Sequence, residues 1–128
     1  MAGKRKHPER DLQIQVVNFL LMMEHRGHLT FFHPPNGGSR GAREGANFKR
    51  MGVRAGVSDL VILWRDSIED GSVGFIELKA GAGRLSKAQS DFHEKVAGFG
   101  AYTAIAYTLD DVRGTLDSWE VPGLPSRS

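Results

Sequence analysis

The stretch from Asp59 to Lys79 constrains this chain more than any other. "DLVILW", residues 59–64, is a continuous apolar run with β-branched members, the pattern of a strand buried on both faces. "RDSIEDGS" follows, and its Asp70-Gly71 pair is a strong hairpin signal. Residues 73–79 return as a second strand. A hairpin whose turn centres near residues 68–70 sets Asp59 opposite positions 77–79. Strand side chains alternate with period two, so Glu77 and Lys79 share a face. Two carboxylates and one ammonium therefore meet at one end of a sheet.

Such charges are costly to bury unless something compensates them. A hard cation such as Mg²⁺ takes oxygen ligands, commonly one or two carboxylates with waters and substrate phosphate. Asp59, Glu77 and the carbonyl of Leu78 can supply that set, and Lys79 can orient a water or offset charge on phosphorus. The plain alternative is a salt bridge between Lys79 and one carboxylate, and an isolated Glu-x-Lys pattern fits either reading.

The rest of the chain supplies a setting. Leu12, Val16, Leu20 and Met23 recur at helical spacing after Pro8, and Arg26-Gly27 stops the pattern. "LTFF" (29–32) reads as a short strand. Residues 33–56 are glycine-rich, with Arg40, Arg43, Lys49, Arg50 and Arg54 among Asn36 and Asn47, and read as one long loop. Ser86 and Gln89 form a capping box ahead of a stripe through Phe92, Val96 and Phe99. "YTAIAY" (102–107) is a strand. Thr108 and Asp111 cap a last helix marked by Leu109, Val112, Leu116 and Trp119. Residues 1–8 read as a flexible basic start, 9–120 as a single domain and 121–128 as a loose tail. The order is α-β-β-β-α-β-α, an α/β sheet domain.

Charge separates along the chain. Residues 1–56 hold ten Lys/Arg against four Asp/Glu, and residues 57–128 hold seven against eleven. A basic front half suits a polyanion such as nucleic acid, and the Gly/Arg loop can wrap a phosphate backbone. There is no cysteine, so disulfides and thiolate metal sites are excluded. No apolar run reaches the length of a membrane span, and the start lacks the apolar core of a secretory signal. A cytoplasmic protein is expected.

"ERDLQ", "PPNGG", "GVSD", "IELK" and "LSKAQ", in that order from Glu9 to Trp119, resemble the VRR-NUC family, a branch of the PD-(D/E)XK nuclease superfamily. The resemblance implies a restriction-endonuclease-like core, α-β-β-β-α-β, with a central mixed sheet flanked by helices. It implies that Asp59 and Glu77 are metal ligands and Lys79 the catalytic lysine, with Mg²⁺ or Mn²⁺ as cofactor. The family's helix acid falls on Glu9, which could reach the metal through water. Its glutamines fall on Gln13, in a supporting place, and on Gln89. Relatives usually carry proline before the aspartate, and here that position is Ser58. At 100° per residue Glu9, Gln13, Val16 and Leu20 lie within about 60° of each other, so Glu9 lines up with the apolar stripe. A first-turn acid favouring the helix dipole is the other reading of Glu9, and capping the other reading of Gln89. By similarity to small stand-alone members from phages and bacteria, the expected activity is DNA endonuclease action on branched DNA such as four-way junctions. A homodimer is expected, and surplus apolar surface at Leu21 and Met22 reads either as its contact or as packing under the long loop. The DNA-contacting residues would be Asn36, Arg40, Arg43, Lys49, Arg50 and Arg54. An inactive nuclease fold that only binds nucleic acid, or a flap or nicking enzyme, are the alternatives.

Overall fold

The computed structural model describes residues 7–35 and 42–126, with the side chains of 42–44 excepted. Its elements are α1 (Pro8–His25), β1 (Thr30–Phe32), α2 (Ala42–Arg50), β2 (Leu60–Arg65), β3 (Gly71–Leu78), α3 (Lys87–Gly98), β4 (Tyr102–Ala106) and α4 (Leu109–Ser118). The four strands form one mixed sheet in the order β1-β2-β3-β4. β1/β2 and β2/β3 are antiparallel, and β3/β4 is parallel through the α3 crossover. Asn36 and Arg40 lie outside the described residues, as does the Arg43 side chain.

Alternation along β3 divides the molecule into layers. Gly74, Ile76 and Leu78 are buried on the side of α1 and α4, where Val16, Leu20, Met23, Val112 and Leu116 complete the core. Every member of the predicted α1 stripe is buried. Each such aliphatic side chain contributes roughly 1.5–3 kcal/mol by leaving water. Phe75 faces the other way and meets Phe92 of α3 edge-on, ring centroids 5.2 Å apart. Gly74 leaves room for Trp119, whose ring would lie 2.2 Å from any Cβ there. Trp119 in turn stacks on Trp64 at 5.4 Å.

Helix ends follow one rule. After α1, α2 and α3 a glycine with positive φ (Gly27, Gly52, Gly100) turns the chain. The next amide reaches back to the last turn, as Val53 N–H does to Phe48 O at 2.9 Å.

Four expectations change. The long loop 33–56 contains a helix, α2, hidden from a composition reading because glycine punctuates a segment otherwise made of helix formers. β2 is not buried on both faces throughout: Leu63 is 41% exposed, because α3 covers only the far end of the sheet. The α3 stripe does not run to Phe99, which is exposed beyond the helix, and its buried member is His93. The tail is anchored at its start, since Val121 is buried in the core and Arg113 donates to Pro125 O.

Candidate active site

The hairpin fixes the centre of the site. Leu60 pairs with Ile76, and continuing that register by one residue sets Asp59 opposite Glu77. One Asp59 oxygen, Oδ2, accepts from the Leu78 main-chain N–H at 2.7 Å, just where β2 and β3 stop pairing. Glu77 points to the α3 side. Its Oε1 accepts from Gln89 Nε2 at 2.7 Å. Its Oε2 is buried and accepts no hydrogen bond, and the proton that Glu77 carries when neutral is shared with Asp59 beside it.

Gln89 serves both readings given to it. Its Oε1 accepts from Ser86 N–H while its own N–H donates to Ser86 Oγ, closing the capping box. The amide nitrogen left over holds Glu77. One side chain therefore ties the start of α3 to the buried carboxylate.

Two carboxylates this close raise the cost of charging both. Burial, reinforced by the charge of Asp59, pushes the Glu77 carboxyl up to about 8, against the pull of the Lys79 ammonium. Lys79 is half-buried, yet it forms no ion pair: among the described residues the one salt bridge joins exposed Lys87 and Asp91. The simple salt-bridge explanation of Glu77 and Lys79 therefore does not describe this structure.

The arrangement fits a hard divalent cation. Ionising both carboxyls side by side is unfavourable in a buried place, and a cation beside them would offset that cost. Among the described residues no group of three or more His, Cys, Asp and Glu side chains gathers at one point. Two carboxylates and a main-chain carbonyl, with water, would form an all-oxygen set that suits Mg²⁺ or Mn²⁺ better than Zn²⁺.

A cleft of about 510 Å³ opens beside Asp59 and Leu78, and Glu9, Gln13 and His33 also line it. Helical spacing thus brings Glu9 and Gln13 to the site. Glu9 is exposed at the rim, and among the described residues neither hydrogen-bonds to Asp59 or Glu77. Lys49, Arg50 and Arg54 are exposed on α2 and the turn after it. Lys49 and Arg54 line a second cleft that reaches Gln89, and Arg50 does not.

Three residues to which the sequence assigned no role also take part. His33 Nδ1 lies 2.6 Å from the carbonyl of Asp59. A carbonyl only accepts, so Nδ1 carries the proton and the imidazole tethers the backbone of the site. Ser58 is fully buried, and its Oγ lies 2.9 Å from Nε2 of buried His93. The signal for this pair was Ser58 itself, standing where relatives usually carry proline. Nothing in the spacing pointed to His93, 35 residues away.

Comparison with known proteins agrees with the geometry. The VRR-NUC domain model matches residues 4–108. A solved structure described as a VRR_NUC domain protein superposes with a TM-score of 0.65 at 25% identity, covering 96% of this chain and 94% of the other. No curated protein matches the chain significantly. A match over most of its length, on a mixed sheet flanked by helices, makes this chain a member of the VRR-NUC family, with a restriction-endonuclease-like fold and a nuclease-type, DNA-processing function.

Proposed function

We propose that the protein is a divalent-metal-dependent DNA endonuclease that hydrolyses phosphodiester bonds, selective for branched DNA such as four-way junctions and acting as a homodimer. The observation that carries the reading is the buried Glu77 carboxyl set against Asp59, where burial and the neighbouring charge oppose ionising both. A bound cation is what lets two such carboxyls ionise together, and a fold kept only for binding nucleic acid has no need of the pair.

Asp59, Glu77 and the Leu78 carbonyl would hold Mg²⁺ or Mn²⁺, with Glu9 reaching it through water. When bound, the cation supplies a more acidic water and positive charge at the phosphate. The chain's own groups do the rest. Gln89 holds Glu77 in one rotamer, and the Leu78 N–H and His33 fix Asp59 at side chain and backbone. Lys79, with no carboxylate at ion-pair distance among the described residues, can donate to the attacking water and balance charge growing on the phosphoryl oxygens. Gln13 supports the cleft wall. Asn36, Arg40, Arg43, Lys49, Arg50 and Arg54 would contact phosphates, which position a substrate without reading its sequence.

The test is a cleavage panel of duplex, flap, single-stranded and four-way DNA, with Mg²⁺, Mn²⁺ or chelator. Cutting that needs the metal and is fastest on the junction is the expected result. Metal-independent cutting, or binding with no cutting of any substrate, would overturn the reading.

A further inference from the structure

The site has two clefts, and the second is the larger. It measures about 840 Å³ and lies between the α2 region and the start of α3. Phe48, Lys49, Arg54, Gly56, Ser86 and Gln89 are among its walls. Gln89 is one of its walls and is the same side chain that holds Glu77. The first cleft ends on Asp59, on the α1 side of the sheet. The carboxylate pair thus stands between two openings, one on each face.

The second cleft has a definite chemistry. Among the described residues no Asp or Glu lines it, while Lys49 and Arg54 do, and neither is in an ion pair. Phe48 is half-buried in its wall. Gly56 sits against the main chain of Ala88, where a Cβ would lie 2.2 Å from the carbonyl oxygen. That contact fixes the cleft floor to α3. The first turn of α3 carries no acidic residue. The volume is that of a small-ligand site, enough for a nucleotide or two and too small for a duplex. Cations for a phosphate beside an aromatic ring for a base are the two parts of a single-strand site.

We infer that this cleft is a subsite for an unpaired nucleotide of the DNA strand, next to the phosphate being cut. The inference rests on the nuclease reading above and names the piece of substrate that the α3 side holds. A strand leaving the carboxylate pair past Gln89 would put its next base against Phe48 and its phosphate between Lys49 and Arg54. Fully paired DNA cannot present a base there, so occupancy of the cleft favours substrates with strands that separate at a branch.

The test is binding of a short labelled oligothymidylate to the full chain in chelator, where no cutting occurs, read by fluorescence anisotropy. An abasic strand of the same length and a matching duplex serve as controls. Ala88→Glu puts a carboxylate on the cleft wall. It also suits the first turn of α3, where an acid favours the helix dipole, so the fold should persist. The expected result is tenfold or greater weakening of oligothymidylate binding by Ala88→Glu. Phe48→Leu should weaken the base-bearing strand several-fold and leave the abasic strand unchanged. Wild-type affinity in Ala88→Glu, or a duplex that binds as tightly as the single strand, overturns the subsite. Single-strand binding that these variants abolish, in a protein that cuts nothing with any metal, would keep the subsite and overturn the nuclease reading instead.

Discussion

At the residue scale the account turns on a carboxyl group held away from its ordinary state. Glu77 is pushed up to about 8, first by burial and then by the charge of Asp59. The folded protein therefore holds a proton that the unfolded chain releases near the usual carboxyl value. The sign follows by linkage: stability is full below about 4.5 and falls as pH rises toward 8. Thermal melts in chelator should show that decline, Glu77→Gln should remove it, and added Mg²⁺ should reverse part of it in the parent alone. Lys79 is tested by rate. Lys79→Met removes a donor from developing charge and should slow single-turnover cleavage by about a hundredfold or more, with little change in the metal concentration needed. Rates within a few-fold of the parent would leave Lys79 without a catalytic role.

Elements set those residues in place, and one contact between elements has a clear test. Ser58 precedes the site on the approach to β2, and His93 lies on α3 one turn after Gln89. Their hydrogen bond joins the two parts that carry Asp59 and the holder of Glu77. Burial lowers the His93 pKa, so the unfolded chain takes up protons first as pH falls. This contribution is full above about 6.5 and is lost on acidification below it, opposite in sign to that of Glu77. His93→Gln should flatten the acid limb of a melt-versus-pH curve. Ser58→Ala, which leaves a buried ring nitrogen unpaired, should cost about 1–3 kcal/mol in chemical denaturation. An unchanged acid limb in His93→Gln would remove the pair from the stability account. The contrast shows what the sequence made legible. The α1 stripe, the hairpin register and both N-caps are local patterns, and each stood out. Convergence of Asp59 on Glu77 followed from register arithmetic alone. The Ser58–His93 pair and the His33 tether join distant segments through tertiary packing, which no local period records. α2 was lost because glycine at 41, 45 and 52 masks helix formers and because its stop signal, Met51-Gly52-Val53, is read only once a helix is suspected.

At the scale of the whole molecule, the proposed junction substrate needs two symmetric cuts, whereas the proposed centre gives each chain one. A two-fold dimer supplies both sites in a matching symmetry. The apolar surface that α1 leaves for the proposed dimer is narrower than the sequence suggested. Met22 packs against the core, whereas Ile14 and Leu21, seven residues apart on α1, are about half exposed. Light scattering at micromolar concentration should give about twice the chain mass, and Leu21→Arg should return it to one. A parent monomeric under those conditions while cutting junctions in paired nicks would contradict this assembly. The central claim, that Asp59 and Glu77 form a metal-dependent hydrolytic centre, is tested most directly by single-turnover cleavage of four-way DNA in Mg²⁺ with Asp59→Asn and Glu77→Gln beside the parent. Each change keeps the side chain's shape and drops a ligand charge. The account predicts loss of cleavage to below a thousandth of the parent rate, with DNA affinity in chelator within a few-fold of the parent's. Parent-like turnover by either variant would contradict it.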